Sequence, residues 1–147
     1  MLTSEMRNNL LYVCSMIEYV SRVTNNHRSY IVNQLRYSGI RHQLSSAGVN
    51  HSLSFEQVAD EWIEDYQIKD GSYDTVRGNK YRTPSETEIG KVYQRLIEDT
   101  CEGDLIQAVI NVFNSFIIDE ITYFDSNIYY SNPDYLRCSY EEGKLLA

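Results

Sequence analysis

Residues 53–66 read Leu-Ser-Phe-Glu-Gln-Val-Ala-Asp-Glu-Trp-Ile-Glu-Asp-Tyr, and this run decides the fold class. Ser54 can accept from the backbone at a helix start, and Gln57, three residues on, can reach back to it. Together they form a capping box that satisfies otherwise orphaned donors. Phe55, Val58, Ala59, Trp62, Ile63 and Tyr66 recur at helical spacing and define a buried face ending near Tyr66. Glu56, Asp60, Glu61, Glu64 and Asp65 gather on the other face. Leu53, just ahead of the cap, is placed to staple against Val58.

The same periodicity extends towards the N-terminus. Met6, Leu10, Val13, Ile17 and Val20 predict a helix over 4–23, capped by Thr3 or Ser4, with Arg7, Ser15, Glu18 and Arg22 largely off the stripe. Asn26 is placed to cap a second helix over 27–37, presenting Ile31 and Leu35 inward. Ser38-Gly39 ends it, and a short third helix over 40–47 stops at Gly48.

Beyond residue 66 the pattern changes. Asp70-Gly71, Gly78-Asn79 and Pro84 punctuate a polar stretch, and Gly-Asn between two short runs predicts a tight β-hairpin within 69–83. Thr83-Pro84-Ser85-Glu86 predicts another capped start, with Ile89, Val92, Tyr93 and Leu96 facing inward to about Asp99. Residues 105–124 carry a broad apolar stripe and are read as one long central helix. Asn132-Pro133 opens a last helix that Gly143 ends. The expected fold is therefore mainly all-α: one domain over 1–147, an orthogonal array or bundle of about seven helices with one small β-hairpin.

Composition agrees. A chain of 147 residues with 42% hydrophobic content can bury one core without staples. Gln107, Asn111, Asn114, Asp119 and Glu120 interrupt the most apolar region, so no membrane span is expected. The N-terminus lacks a leader pattern, and a cytoplasmic location is the expectation. Cys14, Cys101 and Cys138 are three and widely spaced, which suits small buried side chains rather than a disulfide framework or zinc knuckle.

Chemistry is harder to find. The phosphate-loop, dinucleotide, zinc-protease and nucleophile-elbow motifs are absent, so no catalytic residue, cofactor or metal is expected. His51 beside Ser52 reads as a loop corner rather than a base and nucleophile. Glu61 and Asp65 share a helix face, but without a Glu-x-x-His partner that face reads as solvated.

Two features point to binding. Thirteen tyrosines against four phenylalanines favour an interface, because tyrosine offers rigid contact area with a polar tip. Charge is also unevenly spread. Residues 1–53 hold five arginines against two acids, a net +3, whereas 54–147 hold eight basic against nineteen acidic residues, a net −11. The leading expectation is a protein-interaction module with a basic toxin or enzyme as partner, contacted through Glu61, Glu64, Asp65, Tyr73, Tyr81, Tyr129 and Tyr130. Internal pairing of the two charge blocks is the plainer explanation of the asymmetry. The alternatives are a nucleic-acid-associated regulator using Arg22, Arg28, Arg36 and Arg41, and an enzyme with an unfamiliar site. A net charge of −8 weighs against a polyanionic ligand.

Ile17-Glu18-Tyr19, Ile31-Val32, Leu35, Gly39-Ile40 and His51-Ser52-Leu53-Ser54, with Glu61 and Trp62, resemble small uncharacterised bacterial helical proteins. Some of those are encoded beside ADP-ribosyltransferase-like toxins. The resemblance covers mainly residues 10–66, implies an antitoxin or immunity role, and carries no functional residue over.

Overall fold

The capped run at 54–65 is helical, and it docks on a first helix buried nearly all round. The computed structural model describes residues 2–147. Seven α-helices are formed among the described residues: α1 Ser4–Thr24, α2 Arg28–Asn50, α3 Phe55–Asp65, α4 Glu86–Thr100, α5 Leu105–Phe113, α6 Ile117–Thr122 and α7 Pro133–Glu142. Two 3₁₀ turns, Phe124–Ser126 and Ile128–Tyr130, join α6 to α7.

Local signals act where expected. Thr3 caps α1, accepting from Met6 N. Ser54 and Gln57 cap α3 reciprocally, Asn132 caps α7 with Pro133 in the first turn, and Gly143 closes α7 at φ 78°. At α4 the box is shifted: the cap is Ser85 with Glu88, and Pro84 lies outside the helix, buried.

The centre of the molecule is α1 rather than the 105–124 segment. It packs on α2, α3 and α4, so Leu10, Val13, Cys14, Met16, Ile17 and Val20 are all fully buried. Gly90 lets α4 approach: a Cβ there would run into the Ser15 hydroxyl and lie 3.2 Å from Ser15 N. The buried hydroxyls of Ser21 and Thr24 donate to Ile17 O and Val20 O one turn back, so they cost no unpaired donor.

Three expected elements differ. The expected second and third helices both form within α2, but they meet at a non-helical break at Arg36 (φ 63°, ψ 179°) rather than at Ser38-Gly39, and the later one runs past Gly48 to Asn50. Gly39 does not end a helix; it is a packing point, where a Cβ would lie 2.9 Å from the Tyr66 ring. The segment 105–124 is two helices, because Asn114 Nδ2 and Ser115 Oγ donate to Ile110 O and Val112 O and close α5.

There is no strand among the described residues, and the hairpin of 69–83 is not formed. Its backbone is spent elsewhere. Gly71 N and Tyr73 N donate to Thr24 O and Asn25 O, both at 2.8 Å. Asn26 does not cap α2; its buried amide donates to Lys69 O at 2.7 Å and to Thr24 Oγ1. Asp74 accepts from Val76 N and Arg77 N, and the Asp125 carboxylate accepts from Lys80 N and Tyr81 N. Gly78 takes a positive φ of 82°, but in a lone turn. Residues 67–85 thus form an ordered strap across the α1–α2 corner and the 3₁₀ turns.

Candidate interaction surfaces

Beneath the strap lies a buried charge centre. Glu18 of α1 and Arg28 of α2 are both 0% exposed. Arg28 Nε donates to Glu18 Oε1 at 2.9 Å, and Arg28 Nη2 donates to Glu18 Oε2 and to Thr75 Oγ1 of the strap. Tyr93 of α4 donates to Glu18 Oε1 at 2.6 Å. Arg22 Nε donates to Glu18 Oε2 at 2.7 Å, its Nη2 donates to Pro84 O, and its guanidinium lies over the Phe124 ring. Arg28 Nη1 is a buried donor with no partner among the described residues.

Burial alone would raise the Glu18 pKa, but Arg28, Arg22 and the Tyr93 hydroxyl hold it down at about 2. Tyr93 moves the other way, far above the usual phenol range, because it is buried beside that carboxylate. A carboxylate enclosed by donors and closed to solvent cannot exchange protons with a substrate. The centre instead ties α1, α2, α4 and the strap together. Helical periodicity hid it, since that rule reads a charged residue as outward-facing.

The centre also removes cations from the surface. Of the four arginines that could meet a polyanion, Arg28 is internal and Arg22 nearly so, with 11% of its side chain exposed. Arg36 and Arg41 remain exposed on α2. Arg7 pairs with Glu98 at 3.0 Å.

The tyrosines divide by environment. Tyr129 is at the edge of the core, packed edge-on against Phe124 and 4.3 Å from the Tyr130 ring. Tyr73 is half-buried and stacks on His27 at 3.6 Å. Tyr81, Tyr123 and Tyr130 stand 65%, 62% and 69% exposed. Asp125 joins the backbone carrying Tyr81 to the first 3₁₀ turn, which Tyr123 precedes, Tyr130 ends the second turn, and the Arg82–Glu88 pair at 2.6 Å fixes the strap to α4. Glu61, Glu64 and Asp65 are exposed on α3, and no hydrogen bond or ion pair links them to this tyrosine face.

Several open clefts mark the surface. The largest polar one, about 630 Å³, lies between the α4–α5 corner and α7. Its carboxylates are mostly committed: Asp99 to Arg95, Glu141 to Arg137, and Asp104 to capping α5 and accepting from Tyr37. A second, about 660 Å³, runs past Tyr12, His51 and Phe55. His51 there lies 4.4 Å from the Tyr12 ring, and Ser52 Oγ donates to Val49 O, as a corner rather than a catalytic pair. The third is a smaller apolar groove between α4 and α7.

Among the described residues no three His, Cys, Asp or Glu side chains converge as a metal would require. None of their helices is long and apolar enough to cross a membrane. Cys14 is buried, and Cys101 and Cys138 are half-buried and free. Compared with protein-family models, characterised proteins and solved structures, the chain matches none.

Proposed function

We propose that the chain is a protein-interaction module, an antitoxin- or immunity-type protein or an accessory subunit, that contacts its partner through the tyrosine face. The observation that carries this reading is the exposure of Tyr81, Tyr123 and Tyr130, at 62–69%, on hydrogen-bonded backbone: Tyr81 N donates to Asp125, Tyr123 N to Asp119 O and Tyr130 N to Asn127 O. Exposed aromatic rings on fixed backbone lose little entropy on docking, and tyrosine is enriched at interface centres for that reason. The acids of α3 supply a separate field that steers a basic partner without forming the dry contact.

The test compares wild type, Tyr81→Ala/Tyr130→Ala and Glu61→Lys/Asp65→Lys as immobilised baits in native lysate. Circular dichroism checks that each variant is folded. A protein held by wild type and lost by the tyrosine variant supports the reading. Capture that neither variant alters sinks it.

A further inference from the structure

We propose that the groove between α4 and α7 receives an amphipathic, acidic segment of a partner protein, with an apolar anchor on its floor and carboxylates against Lys91 and Arg95. This rests on the interaction reading above and assigns the partner chemistry at one edge of the tyrosine face. Leu96, Leu136 and Tyr129 are buried core residues whose outer surfaces, with Val92 and Pro133, line the groove. Tyr130, 69% exposed and packed on Tyr129, stands beside that floor.

Three observations select the occupant. First, the groove is about 210 Å³. That is below the roughly 300–1,000 Å³ of pockets that enclose small ligands, and it suits one or two anchoring side chains. Second, the rim is cationic on a chain of net charge −8. Lys91 is exposed and has no ion pair among the described residues, and the Arg95–Asp99 pair at 2.9 Å leaves Arg95 56% exposed. Third, Lys91 and Arg95 are four residues apart on α4. They therefore sit one above the other, about 6 Å apart along the axis, in register with two carboxylates one turn apart on a helix laid alongside. That mode reads as helix-in-groove recognition, with charge setting register.

The probe is a designed amphipathic helical peptide with a leucine stripe and two glutamates one turn apart, titrated into the isotopically labelled full chain by NMR. Amide shifts should centre on Val92, Leu96, Tyr129 and Leu136. Lys91→Glu/Arg95→Glu should weaken the peptide roughly tenfold, and exchanging the two peptide glutamates for lysines should restore binding to that variant. Shifts centred elsewhere would overturn the proposal, as would an affinity indifferent to charge reversal or dodecanoate producing the same shifts with equal affinity. Tyr81→Ala lies outside the groove. If it abolishes partner capture while the peptide titration fails, the tyrosine-face reading stands and this assignment falls.

Discussion

Glu18 ties α1 to α2 and α4, because it is charged, buried and shared by two guanidiniums and a phenol. Removing one member of such a set strands the others. Arg28→Met should cost on the order of 3–5 kcal/mol, read from chemical denaturation, whereas Glu18→Met with Arg28→Met should cost less than that single change. A double variant whose loss equals or exceeds the sum of the two single losses would show that the pair is not coupled as its geometry indicates. Tyr93→Phe, which leaves Glu18 its arginine donors, should cost about 1 kcal/mol. The pH dependence has a fixed sign. The folded pKa of Glu18 lies at about 2, below its ordinary value of 4.5. Its contribution is fully present above that ordinary value and is lost as pH falls from there towards 2. Glu88, also held at about 2 by Arg82 and the Ser85 cap, acts in the same direction but sits in solvent and should fade with added salt. A melting temperature that stays level from about pH 5 to about pH 2.5, or rises, would contradict this account.

At the level of elements, what could be read in advance was whatever a few neighbouring residues decide. The Ser54–Gln57 box, the Asn132–Pro133 start and the Gly143 stop each rest on backbone donors or acceptors within one turn, and each formed. The apolar face of α3 was legible for the same reason, and Trp62 is 1% exposed. Trp62→Ala should therefore cost about 3–5 kcal/mol, and an unchanged melting temperature would refute that burial. What stayed hidden depends on partners distant in sequence. The strap donates to Thr24 O and Asn25 O of a helix corner, so a turn-like Gly-Asn could not disclose that its flanks never pair. The kink of α2 is likewise tertiary. Gln34 donates to Tyr66 O and Gln67 O on one side of it, and Tyr37 donates to Asp104 on the other, which leaves Arg36 between two tethers. Its φ of 63° and ψ of 179° belong to a region essentially reserved for glycine. Arg36→Gly should accordingly stabilise the chain by about 1 kcal/mol, since relief of strain exceeds glycine's entropic cost. A loss of stability on that change would mean the kink is not strained. The tyrosine face was half legible: residue type marked interface material, but only the packing of the turns shows that Tyr129 belongs to the core while Tyr81 and Tyr130 project.

Across the whole molecule, the split between a +3 N-terminal third and a −11 remainder is partly consumed internally. Arg7 meets Glu98, Arg22 meets Glu86, and Arg28 is spent on Glu18 within the same third. Charges that reach solvent include those of an acidic α3, Arg36 and Arg41 of α2, which have no ion pair among the described residues, and the cationic rim of the α4–α7 groove. That redistribution bears on the two ligand classes differently. A basic partner approaching α3 should be steered by exposed carboxylates, so Glu61→Lys/Asp65→Lys should slow association while leaving dissociation nearly unchanged. The effect should shrink as salt rises, because exposed charges are screened beyond roughly 8 Å at physiological ionic strength. A nucleic acid, by contrast, would have to be held by Arg36 and Arg41 against the repulsion of a net −8. Fluorescence anisotropy with labelled duplex DNA and RNA should therefore show no tight binding at physiological salt. Tight binding whose affinity falls linearly in log salt, and which Arg36→Glu/Arg41→Glu abolishes, would transfer the function to α2 and overturn the protein-partner reading.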